Sequence, residues 1–266
     1  MRVSLETRSP IEARGEVLLV GKHAEESRLS PGLQALDAAL GGQLARVLAA
    51  EKFEGKPGQL SYFFRGSGIR AERVMVVGLG TRKTYGADAV RRAAAAGVRR
   101  ARDLGARSVA VMMPPDGVPA RLRSHVVVEG AALGTYRFDR YLKDKSDKAI
   151  ETLTVLESER RSHAAARDGL GLGELTAAGV CLARDLVNEP ANVVTPTYLA
   201  ERAAEIAQAG KLDLKVLERE DCEKLGMGAY LGVAQGSLQS PKFIHLTYAP
   251  GRRARKRVVV IGKGVT

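Results

Sequence analysis

Between Val74 and Met112 the sequence reads strand, helix, strand, and that order leaves few folds open. Val74-Met-Val-Val77 is a short apolar run closed by Gly78, as expected of a strand buried on both faces. A helical pattern follows from Ala87 to Leu104. Val90, Ala94, Gly97, Ala101 and Leu104 share one narrow face, and Arg92, Arg99 and Asp103 lie opposite. The small residues in that stripe let the helix lie close to a sheet. Gly105 stops it, and Ser108-Val-Ala-Val-Met112 resumes as a strand. Such a unit pairs its strands in parallel through a right-handed crossover. The first part of the chain is therefore expected to be an α/β domain. Val17–Val20 and Thr152–Leu156 add strands, and the first eight residues alternate like one.

The chain turns polar between Tyr136 and Glu159, with Lys143-Asp-Lys-Ser-Asp-Lys148 as a solvated loop. An N-terminal α/β domain is expected over 1–160 and a connecting helix region over 161–187. That helix carries Leu175, Gly179, Leu182 and Leu186 on one face. A second domain opens over 188–266. Its first segment, Asp185 to Pro196, has strong local grammar. Asn188 suits a left-handed helix end, and Pro190 biases Glu189 to an extended conformation. Thr195 is a good N-cap and Pro196 fits the first turn of a helix that Gly210 ends. Leu199, Ala203 and Ile206 are expected on its inner face. Strands at Leu214–Leu217, Phe243–Tyr248 and Arg257–Ile261, and a short helix at Asp221–Leu225, complete the pattern.

Composition removes several classes. The chain has 266 residues, 45% hydrophobic and 27% charged, an ordinary globular balance. No apolar run approaches the roughly 18 residues of a membrane span. The N-terminus lacks the apolar centre of a signal peptide, so a cytoplasmic location is expected. Cys181 and Cys222 form no CxxC and suit a reducing compartment as small buried hydrophobes. The net charge of +12 is compatible with nucleic acid. Arginine is spread along the chain, however, and aromatics are only 5% with no Trp, so no base-stacking platform is present and a nucleic-acid partner is not favoured. The densest basic run, Gly251–Arg257, reads as an exposed turn between strands.

Several motifs are incomplete. Gly78-Leu-Gly80-Thr-Arg-Lys83 lacks the third Gly of a dinucleotide fingerprint and the Gly-Lys-Ser/Thr of a P-loop. It reads as a tight strand-to-helix turn with no cofactor. His23, His125, His163 and His245 are scattered without an i, i+4 pair, and no Gly-x-Ser-x-Gly elbow accompanies them. Asn188, Glu189 and Asn192 read as capping and turn residues.

Three blocks, in order, resemble the leucyl (cytosol) aminopeptidase family. They are Leu182-Ala-Arg-Asp-Leu-Val-Asn-Glu-Pro-Ala-Asn-Val-Val-Thr-Pro196, Leu225-Gly-Met-Gly-Ala-Tyr-Leu-Gly-Val-Ala-Gln-Gly-Ser237, and Val260-Ile-Gly-Lys-Gly-Val-Thr266. The resemblance implies an N-terminal α/β domain of macro-like fold, then the truncated start of an α/β metallopeptidase domain. It implies removal of N-terminal residues from peptides by two divalent metal ions, manganese or zinc, in a cytosolic homo-hexamer. One ion holds the substrate amine while both polarise the carbonyl and activate a bridging water. By the resemblance Lys263 is a ligand of one metal, and no catalytic residue is present. The family's carboxylate ligands and its catalytic Lys and Arg follow the Lys263 motif and have no counterpart here. The expectation is an N-terminal fragment of a dinuclear metallo-aminopeptidase that alone binds no metal tightly and hydrolyses nothing. Two alternatives remain: a DNA-binding architectural protein, and a short non-catalytic relative that acts as an assembly partner.

Overall fold

The structure, a computed structural model, describes residues 1–26, 28–65, 68–249 and 256–266. The chain forms two compact units, Met1–Arg184 and Asp185–Thr266.

In the first unit six strands form one sheet: β1 (Arg2–Glu6), β2 (Val17–Lys22), β3 (Leu60–Phe64), β4 (Arg73–Gly78), β5 (Ser108–Met112) and β6 (Thr152–Leu156). Their spatial order is β1-β6-β5-β2-β4-β3. Every pairing is parallel except that of β3 with β4. The helices are α1 (Pro31–Ala39), α2 (Gln43–Ala50), α3 (Ala87–Asp103), α4 (Ala120–Thr135) and α5 (His163–Asn188), which runs on across the division between the units.

The central strands are apolar on both sides because both sides are covered. Val17 and Leu19 of β2, Met75 and Val77 of β4, and Val109 and Val111 of β5 join one core with α3, α4 and Leu170 of α5. Leu18, Val20, Val74, Val76 and Ala110 join a second core with Leu33 and Leu36 of α1 and Leu44 and Leu48 of α2. The expected strand–helix–strand unit is β4–α3–β5, with Val90, Ala94, Gly97 and Ala101 buried as the small-residue stripe required. Its two strands are not direct partners as expected, because β2 lies between them and pairs parallel with each.

Glycine sets how closely the helices approach. A Cβ on Gly130 of α4 would lie 2.2 Å from the Arg91 carbonyl oxygen of α3. One on Gly169 of α5 would lie 2.0 Å from the Arg121 carbonyl oxygen, and one on Gly173 2.6 Å from that of His125. This decides which face of α5 is buried. It is Ala166, Gly169, Leu170, Gly173 and Ala177, not the predicted Leu175–Gly179–Leu182–Leu186 stripe. Leu175 is 73% exposed. Small residues win because they bring the α5 and α4 backbones together, which a leucine row would hold apart.

The second unit contains α6 (Pro196–Gly210), β7 (Asp213–Leu217), α7 (Arg219–Lys224), α8 (Gly228–Ala234) and β8 (Phe243–Thr247). β7 and β8 pair antiparallel, with Leu214 opposite Leu246 and Val216 opposite Ile244. Thr195 caps α6 as the sequence indicates, its side chain accepting from the Tyr198 amide at 3.3 Å. The other end differs. Gly210 is still helical, and Lys211 takes the left-handed conformation at φ 52°. Asn188 does not: the non-glycine residues with positive φ among those described are Lys52 and Lys211. The buried face of α6 is Ala203 and Ala207, and the predicted inward Ile206 is 42% exposed. The alanine row lets the helix settle against β7 and β8, which turns Ile206 outward.

The predicted strand Arg257–Ile261 does not form. Val258, Val259, Val260 and Ile261 are between 80% and 91% exposed. The residues have strand propensity, but no described strand lies alongside to accept their hydrogen bonds, and propensity without pairing does not make a strand. Most of the basic run read as a turn, residues 251–255, lies outside the described residues. Among the described residues no helix is long and apolar enough to cross a membrane.

Candidate functional site

Lys263 lies in the irregular stretch that follows residue 256 and is solvent-exposed. The backbone beside it passes α6: a Cβ on Gly264 would sit 3.4 Å from Cδ1 of Leu199. Among the described residues no three His, Cys, Asp or Glu side chains come together as metal donors. A structural or catalytic divalent site needs about three to four protein donors around each ion. One amine therefore does not fit a dinuclear centre, and the described residues do not assemble one.

The segment before α6 is organised as a joint. The Glu189 amide donates to the Asp185 carbonyl at 3.1 Å, and the Val193 and Val194 amides both donate to the Pro190 carbonyl. These bonds close the turn that delivers Thr195 to its capping position. Asn192 is exposed and Glu189 is buried, so the three polar residues singled out do not share one surface.

The second block is anchored by α7. Glu218 and Asp221 form a reciprocal capping box, and Lys242 binds the Glu218 carboxylate at 2.6 Å. This ties the entrance of β8 to the start of α7. Cys222 is fully buried beneath it, and burial, with Asp221, Glu218 and Glu223 nearby, pushes its thiol above the usual range. Tyr230 of α8 stacks edge-on to Phe243 with ring centroids 5.8 Å apart.

The densest polar network stands elsewhere, beyond the carboxyl ends of β2 and β4. His23 is 1% exposed. Its Nε2 is 2.9 Å from Asp116 Oδ2, its Nδ1 is 3.4 Å from the Gly80 carbonyl oxygen, and the Tyr85 ring meets it edge-on at 4.7 Å. Asp116 in turn holds Arg82 at 2.7 Å, and Arg82 holds Glu26 at 2.7 Å. Lys22 donates to the His23 and Glu26 carbonyls, and burial lowers its pKa while Glu26 opposes that. Burial also raises the Tyr85 phenol, which donates to the Pro114 carbonyl at 2.7 Å. The Gly78-Leu-Gly80 turn serves this packing. A Cβ on Gly78 would lie 2.0 Å from the Lys56 carbonyl oxygen, and the Gly80 amide donates to the Gly55 carbonyl. Residues 55–57 thus pack directly against the turn at the strand ends, the region where open α/β sheets often bind ligands. In the sequence the histidines are merely scattered, because His23 and Asp116 are 93 positions apart.

Residues 17–145 match the N-terminal domain of the cytosol aminopeptidase family, and residues 181–266 match its catalytic domain. The chain belongs to this family. A probable cytosol aminopeptidase from Gloeobacter violaceus is 38% identical over 273 residues, covering 97% of this chain and 53% of that protein. One from Methylobacillus flagellatus is 37% identical, covering 100% and 54%. A mutant tomato leucine aminopeptidase has the same architecture at a TM-score of 0.85 and 30% identity, covering 96% of this chain and 52% of its own. The bottromycin maturation enzyme BotP in complex with Mn matches at a TM-score of 0.68 and 33% identity, covering 89% and 46%. The chain spans about half the length of the curated relatives it matches. The expected α/β architecture and family resemblance both hold. The cytosol aminopeptidases are metallo-hydrolases that release N-terminal residues from peptides.

Proposed function

We propose that these residues serve a metallo-aminopeptidase that removes N-terminal residues from peptides in the cytoplasm, working as a homo-hexamer with two manganese or zinc ions. They are its N-terminal part: a macro-like domain over 1–160, a connecting helix region over 161–187 and the start of the peptidase domain over 188–266. Lys263 is the one metal ligand they carry. What supports the reading is the pair of family matches in their proper order, the second of which contains Lys263.

A lysine ligates only as the neutral amine, so metal binding there competes with protonation and weakens as pH falls. The lone donor cannot hold the pair of ions, and the 266 residues alone are inactive. Titration calorimetry of the chain with Mn²⁺ or Zn²⁺ is expected to show no micromolar binding. A longer protein read in frame past Thr266 is expected to hydrolyse leucine p-nitroanilide, and Lys263→Ala is expected to abolish that activity. Micromolar metal binding by the 266 residues, or full activity in the Lys263→Ala enzyme, would overturn the proposal.

A further inference from the structure

The six-stranded sheet is clad unevenly. On one face α1 and α2 cover apolar side chains of β2, β4 and β3. On the same face the first residues of β1, β6 and β5 are polar, while Ala110 and Leu156 further along still join the apolar layer. The register sets Arg2 beside Thr152 and Thr152 beside Ser108, and in the next row Ser4 beside Thr154. These rows floor a groove of about 410 Å³, and Arg14 forms part of its wall. That volume falls within the range of about 300–1,000 Å³ typical of small-molecule sites.

The charges in this groove are unbalanced. Neither the Arg2 nor the Arg14 guanidinium pairs with a carboxylate among the described residues. The acidic side chain that lines the groove, Glu6, is held by Arg8 at 3.4 Å. The floor is hydroxyl-rich. Thr154 is buried and shares a 3.1 Å hydrogen bond with Ser4, and the Ser108 hydroxyl accepts from the Glu16 amide at 3.0 Å, which leaves its own proton to donate. The Thr152 hydroxyl has no protein partner among the described residues. Period-two alternation on an edge strand would place polar residues toward solvent in any case. It does not require two unpaired arginines to line one groove with a row of hydroxyls.

We propose that this groove binds a small phosphomonoester of a polyol. The two guanidiniums, one from β1 and one from the segment leading into β2, match a dianion with several acceptor oxygens. A carboxylate would be satisfied by one of them. The hydroxyl floor suits the polyol end. The site lies in the first unit and does not depend on the peptidase reading.

The test is titration calorimetry of the full chain at low ionic strength with glycerol 3-phosphate, inorganic phosphate and glycerol. Saturable binding is expected for the two phosphates, tighter for the ester, and none for glycerol. Arg2→Gln and Arg14→Gln are each expected to weaken binding about tenfold, the scale of one lost charge-assisted contact. Thr152→Val, which keeps the shape and strand propensity, is expected to weaken the ester more than the inorganic ion. Arg99→Gln, on the exposed face of α3, controls for general charge and is expected to leave binding unchanged. Absence of saturable binding overturns the proposal, as does equal weakening by Arg99→Gln. Equal affinity for the ester and inorganic phosphate overturns its polyol part.

Discussion

Val74–Val77 and Val258–Ile261 are both short runs of β-prone residues, yet one is sealed in a core and the other lies almost wholly in solvent. The difference is in their neighbours. β4 has a strand on each side and helices against both faces, whereas the later run lacks a described strand beside it. The contrast extends to the two units. In the first, two apolar layers close over a six-stranded sheet. In the second, a two-stranded sheet leaves Phe243 and Leu246 each 38% exposed, and the buried apolar residues among those described are Val194, Ala203, Ala207, Cys222 and Pro241. A two-stranded ribbon is marginal without further strands or a covering helix. The first unit therefore carries the stability of the chain, and the second, which contains Lys263, is held by α6 and the capping box at α7.

The contrast can be broken most sharply inside the first unit. Arg123 and Glu157 are almost buried and meet at 2.5 Å. Arg123→Met strands the carboxylate, with an expected cost of about 3–5 kcal/mol in urea denaturation followed by far-ultraviolet circular dichroism. Leu19→Ala, at a fully buried site between β2 and α3, is expected to cost about 2–5 kcal/mol in the same experiment. Little effect from either change would mean that the first unit is not the stable one.

Thr195→Ala removes the α6 cap and is expected to cost the second unit about 1 kcal/mol. Loss of that unit's signal, with the first unit's transition unmoved, would show the two to be separable. Cys222 adds a pH-dependent reading. Its raised thiol keeps the proton in the folded state. The stability this contributes is complete below the ordinary thiol value of 9.0 and falls as pH rises above it, because only the unfolded chain ionises freely there. Alkylation of Cys222 is expected to accelerate from pH 9 upward and in mild urea, before the first unit loses its circular dichroism. Alkylation that begins only when the whole chain unfolds would remove the distinction. The smallest effect on stability is expected from Val259→Lys, within about 0.5 kcal/mol at an exposed site. It should nevertheless reduce self-association measured by light scattering, because an unpaired apolar run is a template for another chain.

Much of the first unit was legible because its signals are local. Ser108–Met112 and Thr152–Leu156 are strands in full as read, since each is a compact apolar run between polar breaks. The start of α6 was legible through Thr195 and Pro196, whose capping chemistry depends on nothing distant. What failed depends on partners. The buried face of α5 is chosen by the α4 backbone against Gly169 and Gly173, and leucine periodicity alone carries no trace of that contact. α4 itself, with Val126, Val127 and Val128 all buried, has no single apolar stripe to betray it. Lys263 entered through resemblance, since an exposed lysine between glycines carries no chemical signature of a ligand. The His23–Asp116–Arg82 network was invisible because tertiary folding alone brings those residues together.

Hydrogen exchange of the whole chain, read by mass spectrometry at peptide resolution, tests the difference between the units most directly. Amides of β2, β4 and β5 are expected to exchange only through global opening, whereas those of β7, β8 and residues 257–261 exchange orders of magnitude faster. Equal slow exchange across β4 and β8 would contradict the account, because it would show that the second unit closes as firmly as the first.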